Sequence, residues 1–150
     1  MSSGTTSTPV VMIGRSVDVG KAVAELLLPE YEVTHFMLSL EAAASELPAL
    51  LTGKDPQSPV PNEVGTNNYR RPAQAVLFGR GLQLAQIEEI KSAVEQVTAD
   101  HPVAWLMGDP VVVMAGPPGP GFAEKTAREM KEVLGRWRQG GTERTGIIFY

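Results

Sequence analysis

The chain has no cysteine among its 150 residues. That absence excludes disulfides, thiolate metal sites and a cysteine nucleophile together. Histidine is nearly as scarce, since His35 and His101 are the whole complement, and two isolated histidines are too few for a typical zinc site. No apolar run approaches the ~20 residues of a membrane span. No Lys/Arg run is longer than Arg70-Arg71, and the net charge is -4, so the basic face that a nucleic-acid partner favours is not expected. Neither Tyr-x-x-x-Lys nor Gly-x-Ser-x-Gly occurs, and the sequence identifies no catalytic group. The first eight residues, MSSGTTST, lack the basic start and apolar stretch of a signal peptide. They read as a disordered tail on a cytoplasmic protein, with the fold starting at Pro9.

What is present is the composition of an ordinary globular chain, 43% apolar and 20% charged, in short apolar runs that alternate with helical spacings. Val10 to Ile13 is a continuous apolar run closed by Gly14, as in a buried parallel strand. Gly20 to Leu28 then carries helical spacing through Val23, Leu26 and Leu27, and Pro29 stops it. Tyr31 to Leu38 is rich in β-branched and aromatic residues and predicts a second strand, followed by a helix from Leu40 to about Leu51 capped by Ser39. Ala75 to Phe78 repeats the strand pattern, and Ile87, Ile90, Val94 and Val97 mark the clearest helix. Val103 to Met107 is the fourth strand, with Val111 to Ala115 a fifth or a buried loop. Beyond Gly116-Pro-Pro-Gly-Pro-Gly121, the residues Ala123, Ala127, Met130, Leu134 and Trp137 share one helix face, and Thr145 to Tyr150 forms a last strand. This alternation predicts an α/β protein, a three-layer Rossmann-like fold with a mainly parallel sheet of about five strands and helices on both faces. Residues 9–150 would form one such domain.

Residues 52–72 do not fit the alternation, with four prolines, two glycines and three asparagines and no periodicity. A loop of that length in a compact domain suggests a lid or a dimer arm. A homodimer is expected on a second ground, because a chain this short has little surface left to close a substrate pocket by itself. The apolar C-terminal GIIFY is also awkward to leave exposed.

The bend between the first strand and first helix, Gly14-Arg-Ser-Val-Asp-Val-Gly20, is the place where a phosphate could meet backbone N–H groups and a helix dipole. The fingerprint G-x-G-x-x-G gives one glycine to the turn, one to close approach of a pyrophosphate, and one to helix–strand packing. Gly14 suits the first role and Gly20 the third, and the middle glycine is missing. The plain alternative is a strand-to-helix turn with no ligand.

The string Ile13-Gly-Arg-Ser-Val-Asp-Val-Gly20, with Ala24-Glu-Leu-Leu-Leu28 and Val33-Thr-His35 after it, resembles the cofactor-binding βαβ of the methylenetetrahydrofolate dehydrogenase/cyclohydrolase family, whose pattern is IGRS-x-x-VG, LLL and VT-x-x-HS. The resemblance implies contacts to NADP or NAD from Arg15, Ser16 and the backbone near Val19 and Gly20. The family's folate-binding domain precedes this unit, whereas nine residues precede the strand here, so folate chemistry is not expected. The family's histidine–serine pair is displaced to His35 and Ser39, and its later glycine-rich loop has a faint echo in Pro117-Pro-Gly-Pro-Gly121.

Arg15 could take a 2′-phosphate in bidentate geometry, which favours NADP. Glu41, the acidic candidate for an NAD ribose, has an equally good explanation as a carboxylate in the first turn of a helix. Asp18 reads the same way. Arg80 and Asp109 follow strands at the end of the sheet where ligands bind, although each also suits a surface turn. The cofactor-binding set is therefore Gly14, Arg15, Ser16, Val19, Gly20, Ser39 and Arg80. His35, inside a strand, reads as a hydrogen-bonded near-core histidine, and Tyr69 and Tyr150 are the hydroxyls to test as proton donors. The expected function is a small NADP(H)-binding protein acting as an oxidoreductase on a small organic substrate. The alternative is an accessory protein that keeps the fold without the cofactor and works through an oligomer or partner interface.

Overall fold

The computed structural model describes residues 7–14, 16–56, 64–66, 69, 71–79, 82–96, 103–108, 121–138 and 147–150. Five strands alternate with four helices: β1 (Thr8–Ile13), α1 (Val17–Leu27), β2 (Tyr31–Met37), α2 (Leu40–Leu50), β3 (Ala75–Phe78), α3 (Leu84–Glu95), β4 (Ala104–Met107), α4 (Phe122–Arg138) and β5 (Ile147–Phe149). The strands form one sheet in the order β2-β1-β3-β4-β5, and every pair is parallel. Parallel strands need crossovers, and helices covering both faces are what let nearly every strand residue be apolar.

The two-residue period of the strands divides the core. Val10 and Met12, Ala75 and Leu77, and Ala104 and Leu106 face the layer of α1 and α4, where Val23, Leu27, Met130, Leu134 and Trp137 meet them. Val11 and Ile13, Val76 and Phe78, and Trp105 and Met107 face α2 and α3, against Leu47, Leu50, Ile87, Ile90 and Val94. Removing each such side chain from water is worth about 1.5–3 kcal/mol.

β1 reaches back to Thr8, so the tail expected over residues 1–8 gives up its last residue. Thr8 is buried, pairs with Tyr31 and donates its N–H to the Glu30 carbonyl at 2.9 Å, and its β-branch suits the strand. α1 begins at Val17 rather than Gly20, because Ser16 takes the N-cap with its hydroxyl accepting from Val19 N–H at 3.3 Å. β5 takes Ile147–Phe149 of the expected last strand, whose Thr145 and Gly146 lie outside the described residues. Val111 to Ala115 and all of the 116–121 break except Gly121 lie outside the described residues.

β2 is an edge strand, and it carries an irregularity. Val10 pairs with Val33 but Val11 pairs with His35, so Thr34 is an extra residue on the β2 side. Such a bulge reverses the alternation: Tyr31 and Val33 face α1, and Phe36 after the bulge faces it too. The reversal turns His35 toward α2, where its ring meets Glu46.

Candidate functional site

In a parallel sheet of this kind ligands bind outside the carboxyl ends of the strands, where the winding direction reverses. The chain runs from β1 through α1 to β2 on one side, then through α2 to β3 on the other, so the reversal lies between β1 and β3. Gly14 follows β1 there and Gly79 follows β3. Their backbones are close, with Gly79 N–H donating to the Ile13 carbonyl at 2.8 Å and Gly14 N–H to the Met37 carbonyl at 3.0 Å. The exposed Ser16 opens α1 directly above. Gly14, Ser16, Val19 and Gly20 are thus brought to the switch point, while Arg15, Arg80 and Asp109 lie outside the described residues, as does His101.

Of the two glycines, Gly20 holds the packing place that the fingerprint assigns and Gly14 differs from its turning place. A Cβ on Gly20 would stand 2.7 Å from the Phe36 ring, so this residue lets the helix lie down on the strand, as the packing glycine does. A Cβ on Gly14 would meet the same ring at 3.4 Å, an ordinary contact, and its φ is not left-handed. The turning role read for Gly14 therefore does not require glycine. Ser39 spends its hydroxyl on α2, accepting from Ala42 N–H at 3.1 Å. Glu41 and Asp18 sit exposed in the first turns of α2 and α1, the placement that a helix dipole favours without a ligand. Tyr150 is buried and its hydroxyl donates to the Phe78 carbonyl at 2.8 Å, fastening the end of β5 to the end of β3.

A second constellation lies on the α2 side of the sheet edge. His35 is 1% exposed; its Nε2 is 2.5 Å from Glu46 Oε1 and its Nδ1 is 2.8 Å from the Tyr69 hydroxyl. A carboxylate facing Nε2 suits the tautomer with its hydrogen there, which leaves Nδ1 to accept from the phenol. Glu46 is itself 7% exposed, and Tyr69 is half-buried. Burial, with the nearby carboxylates of Asp55 and then Glu46 adding to it, pushes the Tyr69 phenol above its ordinary value of 10.0.

Residues 64–66 lie along the free edge of β2, and Tyr69 comes from the same 52–72 stretch of sequence. Thr66 N–H donates to the Val33 carbonyl at 3.0 Å, and its hydroxyl donates to Glu32 Oε2 at 2.5 Å. Gly65 sits so close to the bulge that a Cβ would be 2.4 Å from the Thr34 carbonyl oxygen and 2.6 Å from the His35 Cα. Arg71 closes the segment by donating to the Ser7 carbonyl. The described part of the loop thus covers an edge that would otherwise expose unpaired backbone groups.

His35 is the hydrogen-bonded near-core histidine that its strand position suggested, and Tyr69 was a candidate hydroxyl. The sequence reading missed Glu46 and the connection among the three. A signal existed, because Glu46 falls on the buried stripe Ala43, Glu46, Leu47, Leu50 of α2, where a carboxylate needs a partner. A groove of about 300 Å³ also runs beside α1, between Lys21, Glu25 and Leu28 on the helix and Val33, Val64 and Thr66 across from it. It lies on the opposite side of the edge from His35.

Among the described residues no group of three or more histidines and carboxylates could hold a metal ion, and no helix is long and apolar enough to cross a membrane. No protein-family model and no solved structure matches the chain. It is similar to "Kojic acid related protein 6" of Aspergillus oryzae, at 37% identity over 145 residues, covering 94% of this chain and 85% of the relative. By that likeness, held over nearly the whole of both proteins, the chain belongs to the family of kojic acid related protein 6.

Proposed function

We propose that this protein binds NADP(H) at the β1/β3 switch point and serves as a small oxidoreductase on an organic substrate. The observation that carries the reading is the coincidence of three features at one place: the reversal of strand order, the N-terminus of α1 with its Ser16 cap, and a glycine that lets that helix pack directly on β2. The strand order is the flavodoxin-like doubly wound one, which obeys the same switch-point rule as a dinucleotide-binding sheet, and the β1-α1-β2 unit is intact. A phosphate at this end of the helix would meet Ser16 and the backbone near Val19 and Gly20, with Arg15 next to Ser16 in the sequence. When bound, the nicotinamide would supply hydride transfer. The local resemblance to the methylenetetrahydrofolate dehydrogenase/cyclohydrolase βαβ supports the same site. The relative's name ties it to kojic acid and specifies no reaction. We extend the reading to a cytoplasmic homodimer.

One observation favours the accessory-protein reading instead. Ser16 occupies the Val19 N–H itself, leaving fewer free donors for a phosphate. Titrating the protein into NADPH while following nicotinamide fluorescence decides between them. Saturable enhancement that Arg15→Ala weakens about 10-fold or more, with NADH little affected, supports the cofactor reading. No change up to millimolar NADPH sinks it.

A further inference from the structure

The Tyr69–His35–Glu46 chain has the order of groups that moves a proton: a half-buried hydroxyl, a buried imidazole, and a buried carboxylate that fixes the ring's tautomer and would stabilise its charged form. Its construction is specific. The bulge at Thr34 turns His35 toward Glu46, and the close seating of Gly65 on that bulge belongs to the same stretch of loop that brings the Tyr69 oxygen to Nδ1. Among the three, Tyr69 is the one that reaches solvent.

We propose that this chain is a binding site for a small molecule bearing an acidic hydroxyl, an enol or a phenol, whose proton the relay accepts. The ligand's O–H bond breaks as a new O–H bond forms on the Tyr69 oxygen; the proton that Tyr69 held passes to His35 Nδ1. The resulting imidazolium keeps its Nε2–H on the Glu46 carboxylate, and the ligand stays as an oxyanion hydrogen-bonded to the phenol. Proton affinity sets the ligand class. An imidazole is a far weaker base than hydroxide, so a hydroxyl as weakly acidic as water's keeps its proton, and a more acidic enol or phenol gives it up. The site needs no cofactor and stands apart from the switch point, so it holds whether or not NADPH binds.

The test uses 4-nitrophenol, whose anion absorbs at longer wavelength than its neutral form, at a fixed pH where the free compound is mostly neutral. Wild-type protein should produce a saturable anion band. Tyr69→Phe keeps the ring and the His35–Glu46 pair but cannot pass the proton, and should lose at least 10-fold of the band at equal ligand while its far-ultraviolet circular dichroism is unchanged. Should that variant unfold, Glu46→Gln is read in its place: it preserves the side-chain shape and Tyr69 but cannot support an imidazolium, and the same loss is expected. A merely structural chain predicts no saturable band from wild type, or one that survives both substitutions, and either result overturns the proposal.

Discussion

Replacing Gly65 by alanine tests whether the loop is truly seated on the bulge. The added methyl would stand 2.4 Å from the Thr34 carbonyl oxygen, 2.5 Å from its carbon and 2.6 Å from the His35 Cα. All three are backbone atoms of a strand paired to β1, so none can rotate away, and the loop has to retreat. The hydrogen bonds that hold the loop there include the Thr66 N–H to Val33, the Thr66 hydroxyl to Glu32, and the Tyr69 hydroxyl to His35. At about 0.5–1.5 kcal/mol each, complete release would cost roughly 1.5–4.5 kcal/mol, against about 0.4–1 kcal/mol gained from a stiffer unfolded chain. The net expectation is a loss of about 2 kcal/mol, which for a chain of this size lowers Tm by roughly 4–8 °C. Thermal unfolding followed by circular dichroism measures it. Since a glycine-to-alanine change with room to spare would stabilise, an unchanged or raised Tm refutes the seating.

The other expectations follow from the same coordinates. Gly20→Ala should destabilise by about 1–3 kcal/mol because its methyl meets the Phe36 ring at 2.7 Å, while Gly14→Ala at 3.4 Å should be near neutral; equal chemical-denaturation midpoints for the two would contradict this. Ser16→Ala and Ser39→Ala each remove a hydroxyl that caps a helix, and urea unfolding should show losses of about 1 kcal/mol apiece. The Tyr69 phenol has its pKa raised above 10.0, so folding favours its neutral form. That stability is complete below pH 10 and is lost as pH rises from there through the folded-state value. Tyr69→Phe should therefore flatten the alkaline decline in Tm, and an identical decline in both proteins would count against it. For the homodimer, light scattering at micromolar concentration should give about twice 16.1 kDa, and a mass near 16 kDa would exclude it.

Much of this fold was legible because its apolar runs are unmixed. Ala75 to Phe78 is all apolar and bounded by polar or glycine residues, and it forms β3 with those same ends. In a sheet covered on both sides a strand has no polar face to blur its limits. The helix starts were harder to read. Gly20 looks like an opening residue, yet Ser16 four positions earlier supplies the cap. In the bend after β1 the sequence pattern assigned Gly14 a turning role that its backbone does not require, since a backbone angle cannot be read from a residue's identity alone.

The Tyr69–His35–Glu46 chain was harder to see because it depends on a change of phase. With unbroken alternation His35 would share a face with Tyr31 and Val33 and point toward α1, away from Glu46. One extra residue at Thr34 reverses that, and nothing about threonine announces a bulge. What makes the bulge tolerable is 30 residues away in the sequence: Gly65 can approach the distorted edge as no other residue could, and Thr66 then takes up the Val33 carbonyl. Glycine at 65, tyrosine at 69 and glutamate on the buried stripe of α2 are thus three conditions on one geometry. Each is ordinary alone, and only their convergence on His35 distinguishes a proton relay from a loop that happens to cover an edge strand.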